Sequence, residues 1–215
     1  MCTTKGPVAI AEAIFGDFAP SGKLPYTIYP NVWAANTPME DMSLTAGQGR
    51  TYRFYGYNDK SLTAHFEFGD GISYTTFELA STRTRTSTRT STSTIPSLGT
   101  FQVTVTNTGA VAASEAVLVF VRPTKVSGAP SPLPIKQIVD FGRTAVLHSN
   151  GGSETLSFTI TAHDVSMVDW EGVRRAYAGS YEVVFSTGGA EANKPAVHTF
   201  KVLSTLVLDR LPPPP

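Results

Sequence analysis

Apolar and polar residues follow two different rhythms along this chain. After Ile95 they alternate: Phe101, Val103 and Val105 are interleaved with Gln102, Thr104 and Thr106, and Asn107-Thr108-Gly109 reads as a turn. Leu156, Phe158 and Ile160 repeat the period of two, as do Tyr181, Val183 and Phe185. Ile138-Val139 with Phe141, and the stretch from Val197 to Val202, read as further strands. Val117 to Val121 is apolar throughout, as expected of a strand covered on both faces. Before Ile95 the pattern is less regular. Pro7 to Phe15 predicts one short helix, because Pro7 suits a first helical position, Ala9, Ala11 and Ala13 favour helix, and Gly16 suits its end. Nearly every position in it is apolar, so burial on most sides is expected. Pro20-Ser21-Gly22 reads as a turn and Leu24 to Tyr29 as a strand ended by Pro30. Asn31 to Gln48 reads as loop. Arg50 to Tyr57 alternates, with Tyr52 and Phe54 against Arg53, Tyr55 and Tyr57, which predicts a strand before a turn at Asn58-Asp59-Lys60.

About seven short strands separated by turns predict a mainly β chain built on a sandwich of the immunoglobulin or fibronectin type III kind. No Cys-Trp-Cys framework is present, which argues against an antibody-type domain. Ser81 to Thr94 holds only Ser, Thr and Arg. Such a stretch cannot supply a core strand and reads as an extended linker or loop. The divisions expected are 1–77 ahead of the linker, 78–98 as linker, 99–205 as sandwich and 206–215 as a Pro-rich tail, disordered or extended.

Composition narrows the function classes. Seventeen basic residues balance 17 acidic ones, so no electrostatic case for nucleic acid exists. Cys2 is the single cysteine, which excludes an intrachain disulfide and a cysteine-based metal site. No apolar run approaches the roughly 18 residues of a membrane span. The N-terminal residues do not read as a secretory signal, and no Asn-x-Ser/Thr sequon occurs.

The candidate chemistry is sparse. Glu40-Asp41 is the one adjacent carboxylate pair near the early region and reads as a solvated loop pair. His65, His148, His163 and His198 lack the spacing of a zinc site. Gly69-x-Gly71 lacks the downstream glycine and helix of a phosphate loop and reads as a turn between strands. Trp33, Tyr52, Phe54, Tyr55 and Tyr57 are candidates for stacking on sugar rings, with packing between the two parts of the chain the stronger reading. No metal, no cofactor and no catalytic residue is assigned, and the substrate-binding residues are left unknown.

Three ordered motifs carry a family resemblance. Phe15-Gly16-Asp17-Phe18-Ala19-Pro20-Ser21-Gly22-Lys23-Leu24-Pro25 resembles the Phe-Gly-Asp-x-Asn-Pro-Ser-Gly-Lys/Arg-Leu-Pro of family 3 glycoside hydrolases, with Ala19 at the usual Asn. Gly49-Arg50-Thr51-Tyr52-Arg53-Phe54-Tyr55 and Pro38-Met39-Glu40-Asp41-Met42-Ser43 resemble segments of the β-xylosidase branch. Phe68-Gly69-Asp70-Gly71-Ile72-Ser73-Tyr74-Thr75-Thr76-Phe77 resembles the family's Phe-Gly-x-Gly-Leu-Ser-Tyr-Thr-Thr-Phe. The later half is similar to the family's fibronectin type III-like domain at Val103 to Gly109, Phe141 to Arg143 and Gly179 to Val183. The resemblance implies that 1–77 is a short remnant of the enzyme's second, α/β domain, followed by the sandwich. It implies an extracellular parent that hydrolyses terminal β-linked sugars of xylan-type oligosaccharides with retention. It also implies that the nucleophilic Asp and the acid/base Glu lie upstream of Gly16, outside this chain. Asp169-Trp170 is similar to the family's Ser-Asp-Trp nucleophile only superficially, because Val168 replaces the Ser, and Trp170 reads as a core or edge aromatic. The expected partner is the missing catalytic region, in a longer parent or as a separate chain, with a glycan as a further candidate. A stand-alone binding or structural module is the alternative.

Overall fold

A computed structural model describes residues 5–38, 40–57, 59–84, 95–188 and 194–212. Cys2, Asn58 and most of the Ser/Thr/Arg stretch lie outside the described residues. The elements run α1 Lys5–Phe15, α2 Asn31–Ala35, α3 Thr51–Phe54, β1 Phe77–Thr84, β2 Ser97–Asn107, β3 Ala116–Val126, β4 Gln137–Arg143, β5 Ser153–Thr161, β6 Ser166–Val168, β7 Val173–Ala176, β8 Gly179–Ser186, β9 Ala196–Val202 and β10 Leu206–Arg210.

The strands form three antiparallel sheets, ordered β1-β2-β5, β4-β3-β8-β9 and β10-β7-β6. The first two face each other across the main core. Phe101, Val103 and Val105 of β2 and Phe158 and Ile160 of β5 meet Val117, Val119 and Val121 of β3 and Tyr181, Val183 and Phe185 of β8. Alternation selects these side chains for the inner face, and β2 is buried at every second residue from Gly99 to Asn107. Across the outer face of this sheet, Thr100 pairs with Thr159 and Thr104 with Thr155 through their hydroxyls.

β3 departs from alternation as its apolar run predicts. Ala116 to Val121 are all buried. One set points into the main core. The other, Leu118 and Phe120 with Val184, forms a second cluster with Tyr52, Phe68 and Ile138. Tyr52 and Phe68, from the residues before β1, therefore lie over the back of the four-stranded sheet.

Several expectations are corrected. Residues 78–84 are not linker, because β1 pairs with β2 from Phe77↔Asn107 to Thr84↔Thr100. An edge strand needs one neighbour and one partly apolar face, and Phe77 and Leu79 provide that face. Leu206 to Arg210 are not a loose tail, since β10 pairs with β7, and Leu206 and Leu208 pack on the main core. Leu24 to Tyr29 form no strand, only a bridge at Ile28↔Phe66. Arg50 to Tyr57 form no strand: Thr51–Phe54 close a helical turn, with the Tyr55 N–H donating to the Thr51 carbonyl at 2.9 Å. Their alternation is a by-product of aromatic content, and contacts with the sheet decide the conformation. Helix α1 exists but is not buried on most sides: Phe15 is 84% exposed and Ile14 69%. Trp170 is 91% exposed, on the turn between β6 and β7, rather than in the core.

Candidate functional site

The functional geometry is concentrated where the leading residues meet the sandwich. The turn Pro20-Ser21-Gly22 carries two polar anchors. Lys23 Nζ lies 2.5 Å from Glu115 Oε1, with the two side chains only 11% and 2% exposed. The same ammonium donates to the Thr187 carbonyl. Arg143 donates to the Ser21 hydroxyl and, at 3.4 Å, to its carbonyl. Glu115 Oε1 also accepts the Ala116 N–H at 3.1 Å. Loss of water on burial pushes the Glu115 carboxyl above its ordinary value, against the opposing pull of Lys23 and Arg143. A buried pair of this kind contributes little net stability, yet losing one partner leaves a costly lone charge.

Two motifs are joined by backbone. The Leu24 N–H donates to the Asp70 carbonyl and the Gly69 N–H to the Leu24 carbonyl, each at 2.8 Å. Gly71 is required by this approach, since a Cβ there would sit 2.4 Å from the Gly22 carbonyl oxygen. Gly49 is required too. Its φ is +79°, and a Cβ would meet the Phe54 carbonyl oxygen at 2.0 Å.

The five aromatics singled out in the sequence divide. Tyr52 stacks on Phe68 with ring centres 4.2 Å apart and accepts the Ile138 N–H on its hydroxyl. Phe54 is buried. These two are packing residues. Trp33 stacks on Tyr29 at 3.8 Å, and Tyr55 meets Tyr29 edge-on at 5.0 Å. Burial raises the Tyr29 and Tyr55 phenols above their ordinary value. Tyr52, Tyr55 and Tyr57 share the wall of one cleft.

The other candidates are scattered. Glu40 and Asp41 are exposed, and Asp41 accepts the Ser43 N–H. Asp169 is held by Arg175 and by the Glu171 and Val173 N–H groups, which makes it a turn-organising residue. His163 lies 3.5 Å from Asp209, and His198 meets the edge of Phe101. Among the described residues no three His, Cys, Asp or Glu side chains are grouped to hold a metal, and no helix is long and apolar enough to cross a membrane. Sequence reasoning missed the anchor set of Ser21, Lys23, Glu115 and Arg143. The one available signal was Glu115 abutting the apolar Ala116–Val121 run, where a charge needs a partner.

No family model matches the chain. It is 33% identical over 217 residues to a probable exo-1,4-beta-xylosidase of Aspergillus terreus, covering 98% of this chain and 27% of that protein. An exo-1,4-beta-xylosidase of Emericella nidulans is 35% identical over 198 residues, covering 84% of this chain and 24% of its own length. The solved structure of a family 3 exo-beta-xylosidase in complex with a xylobiose aziridine activity-based probe matches with a TM-score of 0.79 and 32% identity, over 95% of this chain and 27% of that one. A beta-glucosidase from Kluyveromyces marxianus matches with a TM-score of 0.72 and 27% identity, over 93% of this chain and 23% of its own. The chain thus spans about a quarter of the length of the relatives it matches. Sequence along nearly its whole length, and fold, match it to the C-terminal portion of a β-xylosidase-like family 3 glycoside hydrolase.

Proposed function

We propose that this chain is the non-catalytic C-terminal portion of a retaining glycosidase that removes terminal β-linked sugars from xylan-type oligosaccharides, and that it is inactive alone. The observation that carries this reading is the match of 98% of the chain to 27% of an exo-1,4-beta-xylosidase. Retaining hydrolysis needs two carboxyl groups about 5–5.5 Å apart across one bond. Two of the carboxylates singled out in the sequence support an inactive chain by their other engagements: Asp169 is tied to Arg175, and Asp41 to its own loop. The partner is the catalytic region, carried by a longer parent or by a second chain. Its contact surface includes the apolar face of α1, where Val8, Ile10, Ile14 and Phe15 stand more than half exposed. The parent works outside the cell, as its resemblance to the family implies.

The purified chain incubated with an aryl β-xyloside should release no phenol above the buffer rate. Release that one carboxylate substitution abolishes would overturn the proposal. A stand-alone module is the second reading, favoured by the sandwich's self-contained core. An immunoblot of the source separates the two: a band several times larger than 23.0 kDa supports the portion, and a sole band at that size supports the module.

A further inference from the structure

An unguarded sheet edge offers free N–H and C=O groups to another chain. Most edges of this fold are guarded. On β4, the Ile138 N–H is taken by the Tyr52 hydroxyl at 3.1 Å and the Phe141 N–H by the Asp140 carboxylate at 2.8 Å. β9 follows Pro195 and carries His198 and Lys201. β10 is bulged between Val207 and Asp209, and β6 is three residues long. β1 carries the exposed Glu78. β5 differs. It ends the β1-β2-β5 sheet, runs nine residues from Ser153 to Thr161, and has no proline and no bulge of its own. Its one charged residue, Glu154, is turned back onto the Ala145 N–H at 2.8 Å.

The phase of β5 is fixed at both ends. The Asn107 N–H donates to the Gly152 carbonyl and the Ala162 N–H to the Pro96 carbonyl, each at 2.9 Å. Even-numbered residues therefore face β2, and the N–H and C=O groups of Thr155, Ser157 and Thr159 point away from the sheet. The next outward N–H, of Thr161, is stopped by the Asp164 carboxylate at 2.7 Å. The inner side is already covered. Phe158 is buried, and β4 passes so near that a Cβ on Gly142 would sit 2.9 Å from its ring. What β5 presents is thus open backbone, not an apolar groove.

The open stretch is self-complementary. Thr155-Leu156-Ser157-Phe158-Thr159 reads the same by residue type in both directions from Ser157. It carries no charge, so two copies meet without the repulsion of like charges placed opposite each other. We infer that β5 is a self-association edge, on which a second copy of this chain pairs antiparallel about a two-fold axis through Ser157. Ser157 then lies opposite its own counterpart, and Thr155 opposite Thr159 of the partner subunit. These are the residues whose backbone groups point outward, so each pair exchanges hydrogen bonds and the two three-stranded sheets join into one. The hydroxyl pairs Thr104–Thr155 at 2.8 Å and Thr100–Thr159 at 3.2 Å continue across the new seam. One strand pair buries less than the roughly 1,200 Å² of a standard interface, so the dimer is weak and concentration-dependent. The inference does not rest on the proposed glycosidase reading.

The test is sedimentation equilibrium of the full 215-residue chain from about 10 μM to about 1 mM, the span of weak complexes. A monomer–dimer equilibrium is expected. Ser157→Lys sets two cations face to face on the axis and should weaken dimerisation about fivefold or more. Ser157 is exposed, so the thermal midpoint should stay in place. Thr82→Lys, at an exposed position of β1, should leave dimerisation unchanged. Hydrogen exchange at the Thr155, Ser157 and Thr159 amides should slow as concentration rises. A monomer throughout the range overturns the inference. A dimer of undiminished strength in Ser157→Lys also overturns it, and loss of that dimer in Ile14→Ser would then place the contact on α1. None of these results bears on the proposed function, which fails only if the chain hydrolyses the aryl β-xyloside.

Discussion

The sandwich and the residues that precede it are built on different terms. The sandwich makes its own inside: Phe101, Val103, Val105, Val117, Val119, Tyr181, Val183 and Phe185 are sealed between two sheets. In the leading part, Ala19 and Phe54 are the only buried apolar side chains among the described residues, each still 8% exposed. It is held instead from without, by Tyr52 and Phe68 on the back of β3 and by Lys23 and Ser21 in the polar anchor. A region with a core stands by its own apolar burial, whereas a region without one depends on what it touches. The exposed face of α1 follows from that dependence.

The comparison can be broken first at the core. Phe101→Ala should cost about 3–5 kcal/mol, the usual range for emptying a buried phenylalanine. Urea unfolding should lose the sandwich and the leading part in one transition. A leading part that survives would mean it does not depend on the sandwich. At the anchor, Lys23→Ala leaves Glu115 buried without its cation, at roughly 3 kcal/mol. Hydrogen exchange should then rise at residues 19–28 while β2 and β3 stay protected, and unchanged exchange there would refute the anchor's role.

The same anchor predicts a pH dependence. Burial raises the Glu115 carboxyl, so the folded chain holds that proton more tightly than the unfolded one. Stability from this group is therefore greatest below the ordinary carboxylate pKa and falls as pH rises through the raised value. The stability of the parent chain minus that of Glu115→Gln should grow as pH is lowered across that window. Urea titrations at stepped pH that give a flat difference would refute this.

Smaller effects sharpen the contrast. Burial, with Tyr177 beside it, pushes the Tyr181 phenol up to about 12. An unfolded tyrosine ionises near 10, so stability should fall as pH rises from about 10 toward 12. Tyr181→Phe should reduce that slope, to which the raised Tyr29 and Tyr55 also contribute, and cost about 1 kcal/mol at neutral pH, through loss of the hydroxyl's 2.8 Å bond to the Tyr177 carbonyl. Ile14→Ser, on the exposed helix, should move stability by no more than about 0.5 kcal/mol. A larger loss in thermal melting would show that α1 is packed in solution.

Legibility in the sequence followed the same division. β2, β5 and β8 were readable because alternation along a strand is a local consequence of having one inner and one outer face. β3 was readable because a continuous apolar run needs two covers, and both exist. Arg50 to Tyr57 misled because over so short a run a period of two cannot be told from aromatic-rich packing. β1 and β10 were missed because edge strands need only a partner's free backbone groups, which leave little trace in composition. The anchor was missed because its halves lie 92 residues apart, at Lys23 and Glu115.

By itself, the sequence determined the sandwich's inner face, the doubly covered strand and, through three motifs, the family resemblance. These are properties of short windows, where side-chain period and residue identity suffice. Only the tertiary structure decided that Tyr52 folds onto the sheet, that Lys23 meets Glu115, that α1 stands open and that a cleft forms beside Tyr55. Each depends on surfaces distant in sequence meeting in space, and no local pattern encodes a meeting of that kind.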